Sequence, residues 1–306
     1  MLVRFGIQVK AQERRMRLED FLFDHFRTHS KLYLRDQIKQ GQCEVNGVVE
    51  NRGFRLRPDD FVEIEIDPDL QNSMIPQDIP LEIIFEDEHL FVLNKPAGML
   101  VHPSHREKTG TILNALSFHA NREGTAGHVR PGLVHRLDKD TSGLMVASKS
   151  VRAHAKLATQ FEKKRVEKRY SALVEGRVAD DSGTIELPIG RYVEQKFWGI
   201  REDGRPAVSR FYVIERYDDA TLIDLEPVTG RTNQLRIHCA ALGHPIVGDV
   251  ARGGREFQRL CLHAYRLAFQ HPSDGAKIAF ERREEFVWPP IGKRQNGTRG
   301  PSSSTS

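Results

Sequence analysis

The sequence predicts an α+β protein whose larger part is an antiparallel-rich mixed sheet and whose amino end forms a small, separate α+β module. In the larger part, apolar runs that are typical of strands outnumber helical patterns. The two do not alternate regularly, which argues against a doubly wound parallel sheet. A polar stretch with three prolines at 68–80 is typical of a linker and separates the two parts.

The amino-terminal module, residues 1–67, is predicted to hold two short helices and a hairpin. Apolar residues of the first helix recur at helical spacing at Leu18, Phe21, Leu22 and Phe26. Those of the second helix are Leu32, Leu34 and Ile38, and this helix is expected to end near Gly41. The Asn46-Gly47 pair predicts a tight primed turn in a hairpin over 43–49.

Three basic residues of the second helix lie four positions apart and therefore share one face: Lys31, Arg35 and Lys39. Such a stripe can hold phosphates without reading bases. Between residues 1 and 67, basic and acidic residues balance at twelve each. An ordinary charged surface is therefore an equally good interpretation of the charge alone.

The larger part, residues 81–290, is predicted to contain strands and helices in irregular order. The strands are 83–85, 90–93, one from 134 onward, 143–148, 170–174, 210–215 and 221–225. The helices are 114–119, 151–161 and 234–242, the last closed by Gly243 and stopped by Pro245. Residues 94–98 are expected to form a loop, and the tail at 291–306 to be disordered.

Composition places the chain among soluble proteins. Its 306 residues, 39% hydrophobic and 29% charged, suffice for one large or two ordinary domains. No run approaches the roughly 18 uncharged apolar residues that span a bilayer, and residues 1–10 lack a signal-peptide pattern, so a cytoplasmic protein is expected. The three widely spaced cysteines indicate neither a disulfide framework nor a zinc site.

Positive charge is concentrated in one segment of the chain. The net charge is +4, yet residues 130–170 alone carry eleven Lys or Arg against four acidic residues, a local excess of +7. A concentrated positive field predicts a polyanionic partner, of which nucleic acid is the usual one. A single basic run such as Lys163–Arg165 is, by itself, more often a solvated helix face.

A candidate catalytic acid lies inside this segment, in the turn-rich stretch His135–Gly143. Asp138 follows a strand-like run and is close to Arg136. A carboxylate beside an arginine at the end of a strand is usually structural, so chemistry at Asp138 needs support from elsewhere in the chain. Asp140 is expected to be an ordinary loop residue.

Three blocks of the amino-terminal module resemble the S-four-like RNA-binding domain, which is named after a small-subunit ribosomal protein. They are Arg17–Leu22, Ile38–Gly47 and Arg57–Ile64, and the resemblance covers about residues 14–67. The chain departs from the family at Ser30-Lys31, where Ser-Arg is usual, and at 58–60, where Gly-Asp is usual. The resemblance implies that this module binds RNA.

Four blocks of the larger part, in order and correctly spaced, resemble the RluA-type pseudouridine synthases. They are 90–102 (LFVLNKPAGMLVH), 135–149 (HRLDKDTSGLMVASK), 168–176 (KRYSALVEG) and 228–249 (VTGRTNQLRIHCAALGHPIVGD). The chain departs from the family at Asn233, where His is frequent, and at 250–253, where an aromatic residue before Gly is frequent. An S-four-like module before this domain is the arrangement of the ribosomal large-subunit members.

The resemblance implies an isomerase that converts uridine in RNA to pseudouridine. This reaction breaks the bond between C1′ and N1, rotates the uracil and joins C1′ to C5. Nothing is oxidised and no energy source is consumed, so no cofactor is expected. The reaction needs a carboxylate close to the sugar, either as a nucleophile or as the base that removes the 2′ proton. The resemblance gives this role to Asp138 and leaves both routes open.

The same resemblance assigns two further catalytic roles. Arg236 is the cationic partner that keeps Asp138 ionised, because desolvation alone raises the pKa of a carboxyl group. Tyr170 is suited to stack on the extruded uracil and to assist proton removal at C5. From its alternation with Ala172 and Val174 alone, Tyr170 would instead be a core residue.

Substrate contacts are also implied by the matched blocks. Arg136 matches the arginine that helps to flip the target nucleotide out of its stack, and His135 and Arg231 are expected to contact the substrate. No metal is expected, because the spacings of the histidines match no usual ligand set.

The interpretation that we favour from the sequence is a monomeric RNA uridine isomerase that acts on ribosomal RNA and has no membrane partner. Transfer RNA and messenger RNA stay open as its substrate. A second interpretation is a catalytically idle RNA-binding or ribosome-assembly factor that retains the fold. A third is a nucleoside hydrolase, which also uses an Asp near C1′ and would release free uracil.

Overall fold

The computed structural model describes residues 2–26, 29–68, 75–104, 107–122, 129, 131–194 and 197–283. By its contacts the chain divides into two compact units, Met1–Ile79 with Pro103–Phe118, and Pro80–His102 with His119–Ser306. Part of the predicted linker and the whole predicted tail at 291–306 lie outside the described residues. The domain bounds given above stay a prediction.

The first unit packs two helices on a four-stranded antiparallel sheet. The helices on this sheet are α1 (Leu18–His25) and α2 (Lys31–Lys39), and its strands are β1 (Val3–Gln8), β2 (Cys43–Val45), β3 (Val48–Val49) and β4 (Phe61–Ile66), in the order β1-β4-β2-β3. Both predicted helices and the predicted hairpin are confirmed. Asn46 and Gly47 have φ of 52° and 78°, the left-handed values that a primed turn requires.

The second unit is built on one large sheet. Its strands are β5 (Glu82–Glu86), β6 (Leu90–Lys95), β7 (Gly132–Leu133), β8 (Ser142–Ser148), β9 (Glu167–Glu175), β10 (Ser182–Glu186), β11 (Ile189–Tyr192), β12 (Phe197–Ile200), β13 (Val208–Arg216), β14 (Ala220–Pro227), β15 (Leu262–Gln270) and β16 (Lys277–Glu281). Two of the helices predicted for residues 81–290 are confirmed here as α4 (Val151–Glu162) and α5 (Gln234–Ala241). The third is confirmed as α3 (Ile112–His119), which belongs to the first unit up to Phe118.

The order of strands in the large sheet is β10-β13-β14-β9-β15-β8-β6-β5, with β16 paired to β15 and β7 to β8. Within the described residues every pair in this sheet is antiparallel except β8 with β15. The predicted α+β class with an antiparallel-rich mixed sheet is therefore confirmed. Strands β11 and β12 form a separate hairpin.

The predicted strand from residue 134 onward is wrong. Pairing of β7 with β8 ends at Leu133, and the chain then leaves the sheet. The imidazole of His135 takes over as acceptor, because the Val146 N–H of β8 donates to its Nε2 at 3.0 Å. Residues 134–141 form an irregular segment between β7 and β8, and this segment carries Asp138. The predicted loop at 94–98 begins two residues later than expected, since β6 runs on through Lys95.

Candidate active site

One cavity of the second unit gathers most of the residues predicted for the site. It has a volume of about 540 Å³ and is walled by the segment after β7, the first half of β9, the loop after β14 and the start of α5. Six of the predicted residues line it: His135, Arg136, Asp138, Tyr170, Arg231 and Arg236. The second, third and fourth sequence blocks thus meet at one place in the fold.

The turn that carries Asp138 is fixed where β8 begins. The Thr141 N–H donates to the carbonyl of Asp138 at 3.2 Å, and β8 then pairs in parallel with β15 at Gly143 and Ala264. A Cβ on Gly143 would lie 2.4 Å from the Ala264 carbonyl oxygen, and its φ is +122°. Only glycine fits this close approach, which explains Gly143 in the second block. Asp140 is exposed, as expected of a loop residue.

The carboxyl group of Asp138 is partly buried and surrounded by positive charge. Burial is the largest influence and raises its pKa, and four cations act in the opposite direction: Arg236, Arg136, Arg252 and Lys95. The net result is a pKa above the ordinary value. A carboxyl group that is poorly solvated, and whose ionised form is favoured by nearby cations, is suited to act as a base or a nucleophile.

Arg236 provides the largest opposing charge, but its hydrogen bonds go elsewhere. Its Nε and Nη2 each donate at 2.7 Å to the two carboxylate oxygens of Asp249. The Asp249 side chain is only 1% exposed. Arg236 therefore acts on Asp138 through its field and is itself held in place by a bidentate ion pair. Asp249 was not predicted from the sequence, although it is the last residue of the fourth block.

A second arginine joins this cluster from the segment that departs from the family. Arg252 lies in a short 3₁₀ turn, with its Nε 3.8 Å from an Asp249 oxygen. Its Nη1 and Nη2 lie 3.3 Å from the carbonyl of Trp198, and its guanidinium lies 4.9 Å from the centre of the Phe197 ring. The departure at 250–253 thus places a cation near Asp138, and no pattern in the sequence indicated it.

Tyr170 contacts both the packed core and the cavity. It packs against the apolar cluster formed by β9, β14 and α5 and also lines the cavity. Burial raises the pKa of its phenol, and the Asp138 carboxylate raises it further. The hydroxyl is therefore neutral at physiological pH, and the ring is held rigidly as a stacking surface.

His135 is engaged in holding the segment that carries Asp138. Its ring accepts from Val146 and stacks on Phe161 at a centroid distance of 4.5 Å. Burial lowers its pKa to about 3, with a smaller contribution from Lys168. The imidazole is therefore neutral, with Nε2 committed as an acceptor. A substrate contact by His135 stays a prediction.

The loop after β14 is ordered by a glutamine that the sequence analysis did not single out. Gln234 accepts through Oε1 from the Thr229 hydroxyl at 2.6 Å and from the Arg231 N–H at 3.0 Å. Its amide donates to Val208 and Ser209, both at 2.9 Å. Arg231 donates from Nε to the Pro206 carbonyl at 3.1 Å.

Arg136, in the segment after β7, lines the same cavity and is exposed.

The basic residues of α2 lie in the first unit, where two of them meet carboxylates. Lys31 lies 3.4 Å from Asp20, and Arg35 lies 2.6 Å from Glu19. Lys39 is exposed. Part of the charge of this stripe is therefore neutralised by α1.

The described residues contain neither a metal-binding cluster nor a membrane-spanning helix. No group of three or more His, Cys, Asp or Glu side chains there is arranged to hold a metal ion. Among the same residues, no helix is both long and apolar enough to cross a membrane.

Lys95 ties the first sequence block to the turn of Asp138. Its side chain is fully buried, and its Nζ donates to the carbonyls of Pro96, Met99 and Lys139 at 2.7, 2.8 and 2.8 Å. Burial lowers its pKa to about 8, so the ammonium form with three N–H donors still prevails at pH 7. The Lys139 carbonyl belongs to the residue directly after Asp138, so Lys95 positions the turn that carries Asp138.

Replacing Lys95 by methionine is expected to destabilise the protein by about 2–4 kcal/mol, because three buried carbonyls lose their donor. Urea unfolding measures this. The matched control is Lys277→Met, which removes an exposed ion pair to Glu167 at 3.7 Å and is expected to cost less than about 1 kcal/mol. Equal losses for the two variants would contradict the role given to Lys95.

Comparison with known proteins locates this chain among RNA-modifying enzymes. The profile of the family described as RNA pseudouridylate synthase matches residues 89–241. The chain is 39% identical to ribosomal large subunit pseudouridine synthase D of Pseudomonas aeruginosa, over 89% of this chain and 90% of that protein. It is 36% identical to an RNA pseudouridine synthase of Bacillus subtilis, over 91% and 93% of the two chains.

A solved structure shares the fold of this chain over most of its length. It is human RNA Pseudouridylate Synthase Domain Containing 1, which is 28% identical, with a TM-score of 0.56. The match covers 72% of this chain and 88% of the human one. The predicted pseudouridine synthase fold is therefore confirmed.

Proposed function

The chain belongs to the RNA pseudouridylate synthase family, and we propose that it isomerises specific uridines of large-subunit ribosomal RNA through the carboxylate of Asp138. That it is an RNA pseudouridine synthase follows from the family. The choice of ribosomal RNA rests on relatives such as the Pseudomonas aeruginosa protein, whose name specifies the ribosomal large subunit. The observation that carries the catalytic assignment is the cavity that joins Asp138, Tyr170 and Arg236.

Asp138 would work at the ribose of a uridine that has left its stack. As a nucleophile, its carboxylate attacks C1′ while the bond to N1 breaks; as a base, it takes the 2′ proton while the same bond breaks. Both routes need an ionised carboxylate in a site from which water is largely excluded. The uracil then rotates and C5 bonds to C1′; this step displaces the Asp138 carboxylate from C1′ in the first route, and in the second it is coupled to return of the proton from Asp138 to C2′. The hydrogen on C5 leaves as a proton, and N1, which kept the electron pair of the broken bond, gains a proton.

Two neighbours of Asp138 support this chemistry. Arg236, clamped by Asp249, favours the ionised form of Asp138 by charge. The ring of Tyr170 offers a fixed surface against which a uracil can stack and rotate. Because its hydroxyl is neutral, Tyr170 can take part in proton transfer only as an intact phenol. Arg136 lies exposed beside Asp138, where it could fill the gap left in the RNA helix.

Release of tritium from RNA that is labelled at C5 of uridine tests the proposed substrate. Purified protein is expected to release tritium from a large-subunit ribosomal transcript and not from small-subunit or transfer RNA transcripts. A preference for transfer RNA would reject the ribosomal assignment and keep the family activity. Free uracil in place of pseudouridine would indicate a hydrolase.

We also propose that the first unit is an S-four-like RNA-binding module. Support comes from a ribbon of two antiparallel segments, 14–18 and 52–57, joined by hydrogen bonds such as Arg15 N–H to the Leu56 carbonyl at 2.9 Å. Six exposed arginines lie on it: Arg14, Arg15, Arg17, Arg52, Arg55 and Arg57. Among the described residues, none of the six forms an ion pair with a carboxylate.

This ribbon supports RNA binding more strongly than the stripe on α2, since Lys31 and Arg35 already contact acidic residues. Replacing Arg15, Arg55 and Arg57 together by glutamine is expected to weaken RNA binding and to lower its dependence on salt. The matched control is the triple replacement of Lys31, Arg35 and Lys39, which is expected to have the smaller effect. A larger loss of RNA binding in the α2 variant than in the ribbon variant would indicate that the stripe on α2 is the main RNA contact.

The pH dependence of kcat/KM reports the ionisation of the catalytic carboxyl in the free enzyme. Because burial raises the pKa of Asp138, activity is expected to fall on the acid side with a midpoint above the ordinary aspartate value of about 3.9. Arg252 lowers that pKa by its charge. Arg252→Gln is therefore expected to move the midpoint to higher pH.

The control for this shift is Arg177→Gln, which removes an exposed arginine that lines no cavity described here. It is expected to leave the midpoint unchanged. A midpoint that stays constant or falls in the Arg252 variant would show that another group controls the fall in activity at acid pH.

We also propose that the protein is monomeric and cytoplasmic. Light scattering coupled to gel filtration tests the monomeric state.

A further inference from the structure

A second cavity of the second unit adjoins the catalytic one. It has a volume of about 480 Å³ and is walled by the hairpin of β11 and β12, by residues 203–205 and by the loop 230–232. Gly230, Arg231 and Thr232 line both cavities. We call this second cavity the arginine pocket. A ligand bound in it would be separated from a ligand in the catalytic cavity by the three-residue segment 230–232.

The arginine pocket carries an excess of positive charge. Four arginines line it, at 191, 201, 205 and 231, against one acidic residue, Asp203. The carboxylate of Asp203 is taken up by Arg201, whose Nε and Nη2 donate to it at 2.7 and 2.6 Å. Arg191 and Arg205 are exposed, and neither forms an ion pair with a carboxylate of the described residues.

An aromatic side chain forms part of the same wall. Trp198 lies directly opposite Arg191 in the β11–β12 pairing, so the two side chains share one face of the hairpin. Trp198 packs on the apolar cluster of Ile189, Ala207 and Ile237 and lines the pocket. Unpaired guanidinium groups beside a supported aromatic ring are the combination by which proteins hold single-stranded nucleic acid.

We propose that the arginine pocket binds a nucleotide that flanks the target uridine in the RNA strand, with its phosphate on Arg191 and Arg205 and its base against Trp198. This inference rests on the proposed function, because the strand must enter the catalytic cavity with one nucleotide. The shared wall then leads the neighbouring nucleotide to the arginine pocket. Cations repel a metal ion, and a small uncharged ligand would leave Arg191 and Arg205 without a partner.

The pocket is also connected to the catalytic cluster through the backbone of the hairpin. The carbonyl of Trp198 lies 3.3 Å from both terminal nitrogens of Arg252, and Arg252 stacks over Phe197. Arg252 in turn lies beside Asp249, which clamps Arg236. An RNA strand seated in the arginine pocket would thus lie against the residues that set the charge around Asp138.

The test replaces both unpaired cations in one variant, Arg191→Gln with Arg205→Gln. Both side chains are exposed, so the variant is expected to fold. Its KM for a large-subunit ribosomal transcript is expected to rise by about tenfold, with kcat at saturating RNA within about twofold of wild type. The slope of log Kd against log salt is expected to fall by about 0.7, because one phosphate of a single strand loses the cations that neutralise it. Trp198→Leu is expected to raise KM without changing that slope.

The matched control is Arg177→Gln, which is expected to change neither the KM nor the salt slope. Binding is measured in the Asp138→Asn background, so the Kd and its salt slope do not depend on turnover. A salt slope and Kd equal to those of wild type, or a fall in kcat with KM unchanged, would overturn the proposal. If the proposed function fails instead, the unsubstituted protein forms no pseudouridine, while the salt slope still reports whether the pocket holds RNA.

Discussion

Asp138→Asn protein is expected to form pseudouridine at least about 10³-fold more slowly than wild type while binding RNA with similar affinity. The substitution keeps the size of the side chain and removes the charge that either route requires. Single-turnover tritium release measures the rate, and filter binding measures the affinity. Residual activity within about tenfold of wild type would show that another group does the chemistry.

The same variant is expected to be more stable than wild type at neutral pH. The pKa of Asp138 is raised in the folded protein, so the folded state prefers the protonated carboxyl, and ionising it at neutral pH lowers the stability. Asparagine resembles the protonated form. The gain in melting temperature is therefore expected to be largest above the folded pKa and to shrink as the pH falls through it.

A loss of both activity and stability in Asp138→Asn would have a different meaning. It would indicate that Asp138 holds the fold together, as the carboxylate beside an arginine does in most proteins. Loss of activity with a gain of stability is the combination expected of a catalytic group whose burial is unfavourable for folding. An idle assembly factor would show full function in cells with this variant.

Asp249→Asn is expected to destabilise the protein by about 3–5 kcal/mol, because it leaves the guanidinium of Arg236 buried without its carboxylate. The Asp249 side chain is 1% exposed, and its two bonds to Arg236 are 2.7 Å long. Activity is expected to fall as well, mainly in kcat, since Arg236 loses its position beside Asp138. Urea unfolding and single-turnover rates measure the two effects.

A double variant separates the structural from the catalytic part of this ion pair. Replacing Arg236 by Met and Asp249 by Leu removes both charges, and much of the lost stability is expected to return. Activity is expected to stay low, because the positive field at Asp138 is gone. The surface control is Asp219→Asn, whose carboxylate is 56% exposed and whose loss is expected to cost less than about 1 kcal/mol.

Much of the fold could be predicted because local patterns agree with the final structure. The helices α1, α2, α4 and α5 have regular apolar spacing or clear ends, and the Asn46-Gly47 turn has the φ values that its sequence requires. Strand β15 could not be predicted, since His263 and Arg266 interrupt its apolar run. The buried ring of His263 is satisfied by Ser142 and by the Arg282 carbonyl, partners that only the folded chain provides.

Site residues could be predicted where they occupy a matched position of a sequence block. They could not be predicted where their role depends on contacts that form only in the folded chain. Asp138, Tyr170 and Arg236 could be placed from their blocks, and the cavity brings them together. The pairing of Arg236 with Asp249 depends on how the chain after α5 folds back. The field of Arg252 depends on a 3₁₀ turn that ends at Gly253, where φ is +92°. Neither feature has a periodic signal in the sequence.

The most direct measurement is a map of pseudouridines in large-subunit ribosomal RNA from cells that lack this gene and carry either the wild-type or the Asp138→Asn copy. The account predicts that at least one pseudouridine is missing without the gene, returns with the wild-type copy and stays missing with the variant at equal protein level. An identical set of pseudouridines in large-subunit RNA with and without the gene, or restoration of the missing ones by the variant, would contradict it.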